Sequence, residues 1–165
     1  MPTSTWESLA STTTGSAVQE VTFSSISQAY TDLYIIVNAG TDSNSVHDIA
    51  WYANGDTGSN YSFCRVLAQD SGIYTDRSGS TTAVNCNQIG RDPSATWLQI
   101  FNYSSTTAYK GSLIKTATIY GDAVTMSVGS GTYKITSAIT SVTLRDPQGT
   151  FDSGSSFTLY GILKA

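Results

Sequence analysis

The chain is broken at short, regular intervals by clusters that reverse a backbone. They stand at Gly40-Thr41-Asp42-Ser43-Asn44-Ser45, Asn54-Gly55-Asp56-Thr57-Gly58-Ser59-Asn60, Ser71-Gly72, Arg77-Ser78-Gly79-Ser80, Gly90-Arg91-Asp92-Pro93-Ser94, Gly121-Asp122, Gly129-Ser130-Gly131 and Pro147-Gln148-Gly149. Glycine tolerates positive φ, and Asp and Asn cap local backbone donors, so each cluster suits a tight turn. Between them no stretch repeats apolar residues at helical spacing, while β-branched and aromatic residues recur in short runs. Parallel βαβ units need crossovers of about a dozen helical residues, and none is present. The spacing therefore predicts antiparallel strands over Val18 to Phe23, Leu33 to Asn38, Ile49 to Ala53, Tyr61 to Leu67, Thr82 to Ile89, Trp97 to Tyr103, Lys110 to Tyr120, Val124 to Val128, Ala138 to Arg145 and Ser156 to Ile162. That many strands predict an all-β, antiparallel two-sheet β-sandwich.

Alternation supplies the faces such a sandwich must bury. Leu33, Ile35 and Val37 share one side of their strand, and Leu98 and Ile100 share one side of theirs. The opposite sides are not polar: Tyr34, Ile36, Trp97, Phe101 and Tyr103 stand where a solvated face would carry hydrophilic residues. Aromatic residues packed under loops and a subunit interface both account for them. In the last predicted hairpin, Ala138, Thr140, Val142 and Leu144 face one way and Ile139, Ser141, Thr143 and Arg145 the other.

The length of 165 residues fits one core, and no linker or internal repeat divides it, so residues 1–165 are read as a single domain. Residues 1–16, with the Ser11-Thr12-Thr13-Thr14-Gly15-Ser16 run, are read as an N-terminal arm or an edge strand. Charged residues make up only 12% of the chain, with Ser and Thr at roughly three residues in ten in their place. Three Trp, ten Tyr and five Phe separate this polar composition from that of a disordered chain.

Charge and leader content narrow the partners. The net charge of −4 with no basic block gives no phosphate-neutralising surface, so nucleic acid is not an expected partner. A membrane is not expected either, because no apolar run approaches the roughly 20 residues that span a bilayer. Met1-Pro2-Thr3-Ser4-Thr5 lacks the start of a signal peptide, which points to a cytosolic site of synthesis. In that compartment Cys64 and Cys86 are expected as reduced core residues.

No catalytic, metal or cofactor site is expected. His47 is the only histidine; its neighbour Asp48 points to the opposite side of a strand, and no Gly-x-Ser-x-Gly elbow exists, so a surface histidine is the simpler reading. Glu7 and Glu20 are the only glutamates and the aspartates lie in turns, which leaves no carboxylate pair for glycoside hydrolysis. In the Asn54 to Asn60 loop only Asp56 is charged, so turn structure is favoured over calcium. Aromatic rings that stack on sugars are available at Trp51, Tyr52, Tyr61, Trp97 and Tyr103, and these are the candidate carbohydrate or partner contacts.

One resemblance adds to this reading. The ending Ile139-Thr140-Ser141-Val142-Thr143-Leu144, followed by Phe151-Asp152-Ser153-Gly154-Ser155-Ser156-Phe157-Thr158-Leu159-Tyr160-Gly161-Ile162, resembles that of small virion proteins of tailed bacteriophages. Trp6-Glu7-Ser8-Leu9, Val21-Thr22-Phe23-Ser24-Ser25-Ile26, Tyr30-Thr31-Asp32-Leu33 and the Asn54 to Ser62 segment extend it over nearly the whole chain. The resemblance implies a jelly-roll topology and a non-enzymatic capsid decoration (cement) protein, assembled in the bacterial cytoplasm and carried on the virion. Its implied partners are the major capsid protein or another virion protein and further copies of itself, a trimer foremost. The alternative is a tail fibre or tail-tip adhesin binding host-surface carbohydrate, but Met1 opening directly onto the domain leaves no shaft, and the decoration module is the expectation.

Overall fold

A computed structural model describes residues 5–42 and 45–163. Twelve antiparallel strands build it: β1 (Trp6–Thr13), β2 (Glu20–Phe23), β3 (Asp32–Ala39), β4 (His47–Ala53), β5 (Tyr61–Gln69), β6 (Gly72–Thr81), β7 (Val84–Ile89), β8 (Ser94–Ile100), β9 (Lys110–Tyr120), β10 (Ala123–Tyr133), β11 (Val142–Arg145) and β12 (Ser156–Ile162). They form an eight-stranded sheet in the order β1-β12-β3-β8-β9-β10-β5-β6 and a four-stranded sheet in the order β2-β11-β4-β7. The fold is the expected two-sheet sandwich.

Its topology is that of a rolled hairpin. Strand β2 pairs with β11, β3 with β8, β4 with β7 and β5 with β6, and the chain crosses between sheets from β1 to β2, β2 to β3, β3 to β4, β4 to β5, β6 to β7, β7 to β8, β10 to β11 and β11 to β12. Successive pairs wrapped over one another in this way make a jelly roll. Two elaborations enlarge one layer. One arm of the roll has grown into the β8-β9-β10 meander, and the terminal strands β1 and β12 add to the edge beside β3.

The core lies between the layers. Leu33, Ile35 and Val37 on β3 and Leu98 and Ile100 on β8 are fully buried, as their alternation predicts, and they meet Ile49, Trp51, Val142 and Leu144 from the small sheet. At about 25 cal/mol per Å² of apolar surface, each such side chain contributes about 1.5–3 kcal/mol.

Several element boundaries differ from expectation. Strand β1 (Trp6–Thr13) lies at the edge of the large sheet, and Thr14 is buried in the 152–155 turn, where its hydroxyl donates to the Asp152 carbonyl at 2.5 Å. Met1 to Ser4, with Ser43 and Asn44 of the first turn, lie outside the described residues. Strand β6 fills a stretch read as turns, its Gly-Ser content masking a strand that needs no buried face. The expected strand from Ala138 begins only at Val142. Asn54, at φ 54° in an Asn-Gly turn, accepts backbone N–H bonds from Thr140 and Ser141 and donates to Ala138, so 138–141 pairs with a side chain instead of a strand. Ile139 and Leu144, expected on opposite faces, are consequently both in the core. The strand from Trp97 stops at Ile100, and a turn carries Tyr103 inward.

Candidate interaction surface

Polar side chains that could do chemistry hold loops instead. His47 is buried, not on the surface: its Nδ1 lies 2.8 Å from Asp146 Oδ2 and 2.9 Å from the Thr41 hydroxyl. The other Asp146 oxygen accepts the N–H groups of Gln148 and Gly149 at 2.8 and 2.9 Å, which pins the turn after β11 onto β4. Sequence reasoning looked to the neighbour Asp48 and missed Asp146, which arrives from 99 residues away. The arrangement is not a nucleophilic relay, because hydroxyl and carboxylate meet the same imidazole nitrogen, whereas a relay needs them on opposite ones.

The remaining charged groups follow the same pattern. Asp56 accepts from the Gly58 N–H and the Asn60 amide, both at 2.8 Å, and these bonds hold its carboxyl below the usual range. Lys110 is buried with its ammonium donating to the carbonyls of Ala108, Ile135, Thr136 and Ser137 at 2.6–3.2 Å, and burial pushes its pKa down. Arg65, under the small sheet's edge, reaches Asp48 at 2.7 Å, Asp76 at 3.0 Å and Asn85 at 3.1 Å, tying β5 to β4, β6 and β7. Among the described residues no group of three or more His, Cys, Asp and Glu is placed to hold a metal ion.

Of the five candidate aromatic contacts, three are corrected by burial. Trp51, Tyr61 and Tyr103 are fully buried and offer no ring to a ligand. Trp51 packs edge-on against Tyr61, which stacks on Tyr133 at 4.9 Å, and the Tyr103 hydroxyl donates to the Ser27 carbonyl. The Tyr61 hydroxyl likewise accepts from the Ala53 N–H at 3.0 Å and donates to the Asp56 carbonyl at 2.8 Å, as buried Tyr requires, whereas the buried Trp51 indole N–H has no hydrogen-bond partner among the described residues. Tyr52 is half-buried on β4, and Trp97 alone of the five is exposed. Both cysteines are free; Cys86 is buried as expected, whereas Cys64 is exposed, a correction.

Trp97 belongs to a larger surface. On the outer face of the eight-stranded sheet, register sets Trp97 beside Lys115, Lys115 beside Val128 and Val128 beside Val66, with Ala95, Ala117, Met126 and Ala68 in the next row. Val66, Trp97, Ile119, Val124, Met126 and Val128 are each between 42% and 59% exposed. A shallow depression of about 200 Å³ opens between Trp97, Ala117 and Met126. Toward the β1 edge of the same face, Trp6 meets the rings of Tyr34 and Tyr160 edge-on at 4.8 and 6.1 Å.

This face is apolar because the alternation of β9 and β10 is turned inside out. Over most of their length the inward residues are small or hydroxylic, Ser112, Thr116, Thr118, Thr125, Ser127, Gly129 and Gly131, with Ile114 and Tyr133 the apolar exceptions that join the core, and the outward ones include Leu113, Ile119, Val124, Met126 and Val128. The reason is the strand lying above them. As the edge of the small sheet, β7 has carbonyls without a ladder partner, and these must be satisfied when buried. The Thr116 hydroxyl donates to the Cys86 carbonyl at 3.3 Å, and that of Thr118 donates to the Gln88 carbonyl. Close approach also demands small residues: a Cβ on Gly131 would lie 2.2 Å from a Val84 methyl.

No family model matches the chain, and no curated protein matches it. Among solved structures it is similar to a toad ovary galectin in complex with thio-digalactose, at 11% identity, 87% of this chain, 99% of that chain and a TM-score of 0.39. It is similar also to Scytalido-glutamic peptidase with a peptide-based transition state analog (9%, 92% and 66%, TM-score 0.26) and to a human SPRY domain (11%, 95% and 99%, TM-score 0.25). Likeness at this level carries no functional argument, and the surface itself must.

Proposed function

We propose that this chain is a non-enzymatic structural protein of a phage virion, most simply a capsid decoration protein that attaches to the outside of the assembled head. The observation that supports this reading is the apolar outer face of the large sheet. A slab whose reactive side chains hold its own turns, and which presents a broad apolar surface, is built to adhere. Contiguous exposed patches of this kind mark interaction sites on soluble proteins. Binding only the assembled shell would reinforce it by mass action, about 2.7 kcal/mol per site at a hundredfold excess over Kd.

The virion assignment draws on the sequence resemblance, and it has a direct test. Cryo-electron microscopy of the particle that carries this chain is expected to show many copies over the head. A few copies at the tail would favour the second reading, an adhesin for host-surface glycans. The exposed Trp6 ring beside Tyr34 and Tyr160 supports that alternative, since sugars stack on such rings. Release of oligosaccharide from host polysaccharide would overturn the non-enzymatic reading.

A further inference from the structure

We infer that the outer face of β8, β9, β10 and β5 is covered by the same face of a second copy of the chain, related by a two-fold axis. This rests on the reading of that face as an attachment surface and names its first partner.

Three observations lead there. The first is area: the exposed parts of Val66, Trp97, Ile119, Val124, Met126 and Val128, with Ile73 and Leu113, come to on the order of 800 Å², about what one partner contributes to a stable interface and more than most monomers leave in one patch. The second is shape. A broad sheet face can pack on a second one, since twisted sheets stack with their strands about 30° apart, and the depression beside Met126 can receive the flexible methionine of the facing copy.

Charge is the third. Along the strands the face is apolar in the middle except for Lys115, which stands between Trp97 and Val128, and it is oppositely charged at its ends. Arg77, opposite Cys64 on β6, marks one end, and the exposed turn residues Asp70, Asp92 and Asp122, with Arg91 as the one cation beside them among the described residues, make the other end net acidic. An axis across the strands at the level of Met126 reverses the strand direction and keeps each strand over its own copy. The Arg77 end of one copy then lies over the Asp70 end of the other, and Lys115 lies over the Val124 and Ile119 level. The same operation would set like charges together if the ends did not differ in sign. A trimer, which the sequence resemblance implies, needs two different matching patches per copy. This single self-complementary face supports a dimer, which directs attention to two-fold positions on a shell.

The test is sedimentation equilibrium on the full chain, with circular dichroism to confirm folding. Wild type is expected at twice the chain mass. Met126→Glu, at an exposed position, is expected to remain folded and to weaken pairing at least about thirtyfold. Arg77→Glu is expected to weaken pairing in low salt, and adding Asp70→Arg to restore it. A wild-type chain that stays monomeric at high micromolar concentration overturns the pairing, as does a Met126→Glu dimer as tight as wild type. Incorporation of Met126→Glu into particles separates this from the parent reading. A monomeric wild type whose Met126→Glu variant is lost from particles overturns the pairing and leaves the attachment surface standing. A variant that neither loses pairing nor particle occupancy overturns both.

Discussion

Strands β3 and β8 obey the rule that antiparallel sheets bury their apolar side, and β9 and β10, in the same sheet, reverse it over most of their length, Ile114 and Tyr133 excepted. Leu33, Ile35, Val37, Leu98 and Ile100 face the small sheet, whereas Ile119, Val124, Met126 and Val128 turn away from theirs. The difference lies in what stands opposite. Over β3 and β8 the small sheet presents side chains such as Trp51, Val142 and Leu144. Over β9 and β10 it presents the edge strand β7, whose carbonyls ask for hydroxyl donors and whose closeness asks for glycine. Alternation thus decides which residues share a face, and the opposing element decides whether that face is apolar.

The largest test of this contrast compares two large-to-small changes. Leu98→Ala, on the inner face of β8, is expected to lower unfolding free energy by about 2–5 kcal/mol through lost burial and the cavity left. Met126→Ala, on the outer face of β10, is expected to change the stability of the isolated monomer by less than about 0.5 kcal/mol. Urea titration of both in a monomeric background measures the pair, and equal losses would erase the distinction.

Smaller effects probe the reversed half alone. Gly131→Ala drives a methyl into Val84 and is expected to cost about 1–3 kcal/mol by overpacking. Thr116→Val keeps the shape and removes the hydroxyl that serves the Cys86 carbonyl. Its expected cost is about 1–2 kcal/mol, read in the same titration, whereas a gain in stability would show that the carbonyl needs no donor.

The gentlest probe is pH, at the inner end of β10. Burial, with Asp56 nearby, pushes the Tyr133 phenol from 10.0 up to about 12. A raised pKa means that the folded state holds the proton more tightly, so the contribution is complete below pH 10.0 and is lost as pH rises through about 12. Asp56 works in the opposite sense: its depressed carboxyl contributes above the unfolded value of 3.8 and ceases to as pH falls through the lower folded one. Tyrosinate absorbance should show a late-titrating class that ionises together with unfolding, and melting temperature should fall at both extremes.

Much of the layered fold was legible because its cues are local. The Asn54-Gly55 turn and the alternation of Leu33 to Val37 need no distant partner to be recognised. What escaped depended on long-range pairing. Strand β6 is a strand only because β5 lies beside it, and Ile139 turns inward only because Asn54 captures the backbone after it. The site was legible in part for the same reason: an aromatic ring can be read in the sequence, but its exposure cannot, so Trp97 and Trp51 looked alike and only one reached the surface. The outward residues of β9 and β10 form an alternating set in the sequence, but nothing local says which side faces β7.

Methionine oxidation tests the central claim, that the outer sheet face is covered in the working protein, most directly. Met126, 59% exposed in the single chain, lies at the middle of that face. Timed peroxide treatment followed by peptide mass spectrometry gives its rate of sulfoxide formation, with free methionine in the same tube as the reference. The account predicts slow oxidation in the concentrated wild-type protein and rapid oxidation in the Val128→Glu variant; oxidation at the free-methionine rate in both would contradict it.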